Sequence, residues 1–340
     1  MIKRFGSLFA GHIDLGDMGQ DATPPNERRY SNAELVTVFD KAEALAVAMD
    51  ELGYDSFWMA EHHFQHEGYE CIPNLPLFFV HLAHVTKRLR FGCGFNVAPM
   101  WHPLRLAEDF ATADILTKGR VIFGVGRGYH TREVEALGGV LQDAEANRDL
   151  FEEQVEIMLK AFNEESFTHH GKNYTLPPNA PYRGYDLKEL TLVPRPVNKV
   201  ECWQPIVSAS PRGLDFMAKH GIKGIVGGGS ALMAEGPVIA FKEAWERAGH
   251  NVTLGENLCI GLNFHIAETK EKAIKEATPY FEEHVKMFAP LGMIPMKPAQ
   301  LAALDKRGNW SAQNIPTLER AVDTGSWYCG PPEGFVDYLL

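Results

Sequence analysis

The chain has 340 residues, 45% hydrophobic and 23% charged, with a formal net charge of −11. That length holds either two domains or one α/β barrel of about 250 residues with insertions, and the apolar fraction fills a large core in both cases. The acidic balance excludes a nucleic-acid or anionic-membrane surface, because such partners require clustered Lys and Arg.

The five cysteines, Cys71, Cys93, Cys202, Cys259 and Cys329, are scattered without a CxxC pair. They read as free thiols in a reducing compartment, with neither a disulfide framework nor a zinc site. The opening residues are too short in apolar content for a secretory signal, and no run of about 18 apolar residues follows. The expected location is the cytoplasm.

Short β-rich runs alternate with helical stretches, the pattern of βα units. Phe5 to Ala10 reads as a first strand. Ser31 and Glu34 have capping-box spacing, and apolar residues from Leu35 to Leu52 recur at helical period until Gly53 ends the run. Ser56 to Met59 reads as a second strand and Pro73 to Lys87 holds a helix. Leu89 to Val97 reads as a third strand, followed by a helix from Pro103 to Lys118, with proline suited to its first turn. Val121 to Val125 is the fourth strand, and Asn147 to Asn163 is a long amphipathic helix. From 164 to 205 the prolines break the helical pattern, and a small hairpin is expected around His170 to Tyr174. Three more strands are expected at Ile206–Ser208, Ile222–Val226 and Leu258–Ile266, with helices at Pro211–His220, Leu232–Ala248 and Lys270–Phe288. Residues 290 to 328 again lack period, and Pro331 begins a helix still running at Leu340. Seven strands result. A closed (β/α)8 barrel has an eighth strand and helix, so the pattern reads as a single barrel domain, 1–340, with excursions at 164–205 and 290–328 and its C-terminal strand and helix missing. An open doubly wound sheet fits the same pattern.

Three segments carry chemistry. In the first, the second strand runs out into Glu61-His62-His63-Phe64, a carboxylate and two imidazoles at a strand end, where βα barrels build active sites. An imidazole there can hold or pass a proton near neutral pH; the alternative is that Glu61 and His63 are structural. A metal set of His62, His63, His66 and Glu70 lacks an HExxH or cysteine signature, so no metal is expected.

In the second segment, the fourth strand ends in Gly124-Val-Gly-Arg127-Gly128. Glycines admit backbone N–H groups to an anion and a guanidinium binds phosphate, although a plain tight turn has the same composition and the spacing is wrong for a dinucleotide fingerprint. In the third, Ser208-Ala-Ser210 precedes Pro211, which places Ser210 at a helix N-terminus. That is a natural phosphate seat, or simply a cap. Gly227-Gly228-Gly229 permits another close backbone approach. Together these strand ends read as one anion pocket.

The chain resembles the bacterial luciferase-like flavin monooxygenases over essentially its whole length. The matching residues are Glu61 to Phe64, Pro99 to Asp109, Gly119-Arg120, Gly124 to Gly128, Arg148, Pro194 to Pro196, and Gly330 to Glu333. The resemblance implies a TIM-type barrel with FMN at its C-terminal mouth. Arg127, Arg148 and Ser210 would contact the phosphate, with Ser208, Gly128, Tyr129, Gly227 and Gly228 nearby. Gly94-Phe95 aligns with the family's non-proline cis peptide beneath the isoalloxazine, and Asn96 would face flavin, substrate or the barrel interior. His62 falls on the luciferase catalytic histidine, with Glu61 expected to orient it. Gly126 stands where luciferase has a reactive cysteine, and Ala209-Ser210 replaces a glutamate–serine pair; both departures argue against light emission.

The implied reaction uses reduced FMN from a separate NAD(P)H:flavin reductase, and dioxygen adding at flavin C4a, to oxygenate a small, apolar substrate. Phe9, Phe64, Phe78, Phe79, Trp101 and Trp203 are either a substrate pocket or core. The 290–328 excursion, with Trp310 and Trp327, is expected to be a lid over the site. A homodimer is implied by analogy. A deazaflavin-dependent dehydrogenase and a non-catalytic flavin-binding protein are the alternatives, with a Rossmann dehydrogenase more distant.

Overall fold

In the computed structural model, which describes residues 2–227, 231–304 and 310–339, the β-rich runs become parallel strands separated by helices. The chain divides into two units, Met1–Ile13 with Asn32–Gln65 and Glu70–Gln204, and Asp14–Ser31 with His66–Tyr69 and Pro205–Leu340.

The first unit begins with β1 (Gly6–Phe9), followed by α1 (Asn32–Leu35), α2 (Thr37–Leu52) and β2 (Ser56–Met59). Helix α2 stops at Gly53, whose φ of 91° is a left-handed cap that suits glycine. Next come α3 (Leu75–Val85), β3 (Arg90–Cys93), β4 (Asn96–Val97) and α4 (Pro103–Thr117). Then follow β5 (Val121–Gly126), α5 (Thr131–Ala136) and α6 (Ala144–Asn163). The expected third strand is thus interrupted at Gly94–Phe95, whose peptide bond is cis. Helix α6 starts three residues earlier than its apolar pattern, because Asp143 caps it by accepting from the N–H groups of Glu145 and Ala146.

Strands β1, β2, β3 and β5 pair in parallel, with Trp58 opposite Gly92 and Phe91 opposite Val121, while β4 pairs β5 with Asn96 opposite Val125. A rim of rings fixes helices to this sheet. Phe110 of α4, Phe123 of β5 and Phe162 of α6 lie with centroids 4.7, 5.2 and 5.5 Å apart, distances at which aromatic pairs attract beyond simple burial. Gly92 has no room for a side chain: an added Cβ would sit 2.2 Å from the Trp58 ring.

Two short antiparallel hairpins follow α6, β6 (His169–His170) with β7 (Thr175–Leu176) and β8 (Pro181–Tyr182) with β9 (Tyr185–Asp186). The first is the hairpin expected at His170 to Tyr174. It is held by the buried Glu153 carboxylate, which accepts from the backbone N–H groups of Asn173 and Tyr174 and from His169 Nε2. Strand β10 (Cys202–Ile206) pairs with β5 through Cys202 and Trp203. This corrects the expected Ile206–Ser208: the strand ends at Ile206, and Pro205 lies within it, beyond the two residues paired with β5.

The second unit contains α7 (Pro211–His220), β11 (Lys223–Val226), α8 (Ala231–Arg247), β12 (Leu258–Ile260), β13 (Asn263–Ile266) and α9 (Lys270–Phe288). Beyond these are α10 (Pro298–Leu304), α11 (Leu318–Asp323), β14 (Trp327–Gly330) and α12 (Pro332–Leu339). The run Leu258–Ile266 is two strands. Its first half pairs with β11 and its second half with β14.

The lid expectation for 290–328 is corrected by packing. Trp310, Leu304, Ile315 and Leu318 are buried with Ala273, Ala277, Phe281, Val285 and Cys329 in the core on α9, with Trp327 packed against it. The described part of this segment is thus packed down on α9 by a core of its own.

Candidate active site

The C-terminal tips of β2 and β5 bring together side chains far apart in sequence. The chain leaves β2 at Met59 and turns through His62 to Gln65, with Phe64 held at a left-handed φ of 61°. Both His62 and Gln65 then reach the short helix after β5. His62 Nδ1 lies 3.1 Å from Glu133 Oε2, and Gln65 Nε2 donates to Glu133 Oε1 at 2.8 Å. The other face of His62 meets Tyr129, whose hydroxyl is 2.9 Å from Nε2 and donates to Glu70 Oε1 at 2.9 Å. His130 Nε2 lies 3.0 Å from Glu70 Oε2, and its Nδ1 is 3.3 Å from Gln65 Nε2. Arg132 closes the set by donating to Gln65 Oε1 at 3.1 Å.

The donors and acceptors admit a proton assignment in which every one of these contacts is a hydrogen bond. An amide nitrogen only donates, so His130 Nδ1 accepts from Gln65 and its proton is on Nε2, aimed at Glu70. The Tyr129 hydroxyl gives its proton to Glu70, so its oxygen accepts from His62 Nε2. His62 Nδ1 gives its proton to Glu133. In that assignment His62 carries two protons and lies between two carboxylates.

Electrostatics agrees. Burial by itself pushes His62 down, but the charges of Glu70, Glu133 and Glu61 and the hydrogen bond to Glu133 outweigh it and hold the imidazole above its ordinary value. Burial likewise opposes Glu133 as a carboxylate, and the contacts with His62, Gln65 and His130 reverse that and bring it below its ordinary value. Burial and the neighbouring Glu70 and Glu133 raise Tyr129 well above its ordinary range, so it stays a hydroxyl.

His62 is 4% exposed and Glu70 and Glu133 are 1% exposed, so the network is internal. Tyr129 is only partly buried. No atom of the network appears among the buried polar atoms of the described residues that lack a partner.

Glu61 does not orient His62, as had been expected; Glu133 makes that hydrogen bond. Glu61 Oε2 accepts from Val97 N–H at 2.8 Å, and Oε1 accepts from Trp101 Nε1 at 2.7 Å and faces His63 Nε2 at 3.0 Å. It ties β4 and the turn after it to the end of β2. Of the side chains considered for a metal, His63 bonds Glu61 and His66 pairs with Glu67, whereas His62 and Glu70 stay together, with Nε2 3.2 Å from Oε1. His62, Glu70 and His130 do have ligand-type atoms within 4.8 Å of one another, and the contacts between them are the hydrogen bonds already described.

The remaining expected site residues are found as follows. Asn96 is fully buried, donates Nδ2 to the Gly124 carbonyl at 3.0 Å and leaves Oδ1 without a partner. Gly128 has a φ of 82°, and a Cβ there would meet Val134 and Val97 at 2.6 and 2.8 Å. Arg127 and Arg148 are brought to one end of the unit: the Asn147 amide beside Arg148 donates to the Arg127 carbonyl at 3.3 Å and its oxygen lies 3.5 Å from Arg127 Nη1. Arg148 meets Glu152 only at 3.5 Å.

In the second unit Ser210 is the N-cap residue of α7, yet its hydroxyl makes no capping hydrogen bond, so capping alone does not account for it. Ser208 precedes Ala209, a non-glycine residue at φ 44°. Gly227 follows β11; Gly228 and Gly229 lie outside the described residues. Of the aromatic residues considered for a pocket, Phe9, Phe78 and Phe79 are core, Trp203 packs edge-on to Trp58 at 5.7 Å, Trp101 is held by Glu61, and Phe64 is exposed.

Parallel strands with titratable side chains gathered at two of their tips define an α/β protein with a candidate active-site face. The model of the luciferase-like monooxygenase family matches residues 11–339, and the chain belongs to that family. Limonene 1,2-monooxygenase of Rhodococcus erythropolis is 28% identical over 274 residues, which cover 77% of this chain and 63% of that protein. The oxygenase component of a flavin-dependent trigonelline monooxygenase from Acinetobacter baylyi is 36% identical over 100 residues, 29% of this chain and 27% of the relative. The matched region thus spans less than two thirds of these relatives. The oxygenating constituent of 3,6-diketocamphane monooxygenase from Pseudomonas putida, a type II Baeyer-Villiger enzyme solved with FMN, superposes with a TM-score of 0.72 at 20% identity, over 99% of this chain and 87% of that one. An F420-dependent secondary alcohol dehydrogenase superposes with a TM-score of 0.60 at 16% identity, over 86% and 88% of the two chains. At these identities the superpositions establish the fold, an α/β luciferase-like barrel architecture. Among the described residues no helix is long and apolar enough to cross a membrane.

Proposed function

We propose that this chain is the oxygenase of a two-component system, using reduced FMN and dioxygen to insert one oxygen atom into a small organic substrate. The observation that carries this is the buried His62 at the strand tips, set between Glu133 and Glu70, whose charges raise its proton affinity and make it a proton source. Family membership and the oxygenase role in the relatives' names support it. A separate NAD(P)H:flavin reductase would supply the reduced flavin.

The residues of the first unit suit FMN. Two arginines near the end of β5 match a dianionic phosphate. The buried, unpartnered Oδ1 of Asn96 is an acceptor for a ring N–H, next to the cis Gly94–Phe95 bond. In the second unit the Ser210 hydroxyl at the start of α7, with Ser208 two residues before it and Gly227 after β11, is a separate candidate phosphate contact. When bound, reduced FMN supplies the activation of dioxygen at its C4a carbon. The protein's part is to bind and orient, exclude water, and supply a proton from His62 Nε2. Glu61 keeps β4 in place.

A homodimer is part of the same proposal. Phe39, Leu45 and Leu52 on α2 and Leu77 and Val85 on α3 are exposed apolar side chains that an interface would cover. Sedimentation equilibrium checks that.

The functional test is anaerobic mixing with chemically reduced FMN, followed by oxygen and a panel of aldehydes, ketones, terpenes and aromatics. The expected result is a product sixteen daltons heavier and substrate-coupled oxygen uptake. Hydride transfer to a deazaflavin without oxygen uptake overturns the proposal in favour of a dehydrogenase. FMN binding that yields only free hydrogen peroxide with every substrate overturns it in favour of a flavin-binding protein.

A further inference from the structure

His62 cannot meet a bound molecule directly. It is 4% exposed, its Nδ1 faces Glu133, and its Nε2 faces the Tyr129 hydroxyl at 2.9 Å with Glu70 Oε1 at 3.2 Å. Of the groups on Nε2, Glu70 is 1% exposed, whereas Tyr129 is partly exposed. Tyr129 also lies directly after the Arg127-Gly128 turn at the tip of β5. We propose that Tyr129 is the catalytic residue through which the His62 proton leaves the network, with Glu70 and Glu133 as positioning residues. This rests on the monooxygenase proposal for the identity of the acceptor.

The step balances without any further reactant. Oxygen transfer places one atom of dioxygen in the product and the other in water, and the departing oxygen takes up a proton; the electrons come from reduced flavin. The Tyr129 O–H bond breaks and an O–H bond forms on the departing oxygen. At the same time His62 Nε2–H breaks and the Tyr129 O–H bond re-forms. His62 is left neutral with its remaining proton on Nδ1, still given to Glu133, and it is recharged from water through the same hydroxyl.

Tyr129 is never ionised in this exchange, which suits a hydroxyl beside two carboxylates. The hydroxyl only has to swing from Glu70 towards the acceptor. The charged and titratable groups that face His62 are Glu70, Glu133, Glu61, His130 and Tyr129, with Arg132 one step away on Gln65.

The test begins with flavin-free protein, so that its first readout does not depend on the proposed activity. Histidine side chains are labelled with ¹⁵N, and the solvent exchange of the His62 ring protons is followed by NMR in the wild type and in Tyr129→Phe. The expected result is an imidazole that remains doubly protonated in the variant while its Nε2–H exchanges at least tenfold more slowly. With FMN and substrate, Tyr129→Phe should lower kcat about a hundredfold with KM little changed, and divert oxygen to hydrogen peroxide. Exchange at the wild-type rate in Tyr129→Phe overturns the proposal whatever the activity shows.

Should that variant fail to fold, Glu133→Gln decides. Loss of the carboxylate lowers the imidazole's proton affinity, so the alkaline limb of ring protonation, read in the same spectra, moves to lower pH while exchange stays fast. An unmoved limb overturns the network as drawn. A wild type that exchanges as expected but consumes no oxygen with reduced FMN leaves the relay standing and refutes the monooxygenase proposal instead.

Discussion

Two buried polar clusters in this molecule are built from the same kinds of groups, yet only one of them suits chemistry. In the second unit Glu283 accepts from Gly19 N–H at 3.0 Å, from Tyr69 at 2.7 Å, from Arg28 at 3.1 Å and from Lys286 at 3.0 Å, and Arg28 also pairs with Asp17 at 2.8 Å. Like the His62 network it joins acids, bases and a tyrosine at 5% exposure or less for Arg28, Glu283 and Lys286. Its cations are arginine and lysine, residue types whose ordinary values lie far above neutral pH, and it fastens the 14–31 segment to α9. The first cluster has histidine as its cation. Burial is common to both; a proton that can be given away near neutral pH is not.

The sharpest way to break this comparison is Glu283→Ala. It takes the shared carboxylate away from two buried cations at once, and the expected loss is about 3–5 kcal/mol, with the same value at pH 6 and pH 9 in urea titrations. A strong pH slope in that loss would erase the distinction.

His62→Asn should cost less in folding and more in function, with kcat down about 10²–10⁴-fold. A variant with full turnover would remove His62 from the mechanism. Its stability should also lose a pH dependence that the wild type has. His62 is raised in the folded protein, so its contribution is complete below its unfolded value of about 6.5 and fades as pH rises through the higher folded value. Glu133 is depressed, so its contribution is complete above about 4.3 and fades as pH falls through its lower folded value. Thermal melts of wild type and variant across pH 4 to 9 should therefore differ most between those two values and converge on the alkaline side.

The smallest effect is expected at Ser210. Its hydroxyl makes no cap bond, so Ser210→Ala should change stability by less than about 0.5 kcal/mol. FMN affinity in a fluorescence titration should nevertheless fall several-fold, and an unchanged affinity would remove Ser210 from the phosphate contacts.

Much of the fold was legible because local signals agreed with it. Ser56–Met59, Pro211–His220 and Lys270–Phe288 form the elements their patterns announce, each bounded by a proline, a cap or a glycine. The failures are places where local and distant demands diverge. Leu258–Ile266 reads as one β-rich run, but its halves serve different partners on either side of Gly261. The short helices between 290 and 328 have too few turns to show a period, so core tryptophan there looked like flap.

At the site, the strand-end rule finds His62, since it needs only local sequence. Glu70 and Glu133 lie 8 and 71 positions from it, and no spacing rule connects such distances. The one usable hint was Tyr129-His130-Thr-Arg-Glu133, polar residues opening a helix directly behind a glycine-rich strand end. Glu61 was misassigned because adjacency to His62 suggested a partnership, whereas a residue's neighbour in a turn points elsewhere.

The fit of Trp58 against Gly92 has a consequence for how this sheet can change. With the indole 2.2 Å from where any Cβ would start, positions 58 and 92 are a single allotment of space divided between neighbouring strands. Randomising position 92 alone should return only glycine among folded clones, while a library that varies both should recover pairs in which bulk has crossed from one strand to the other.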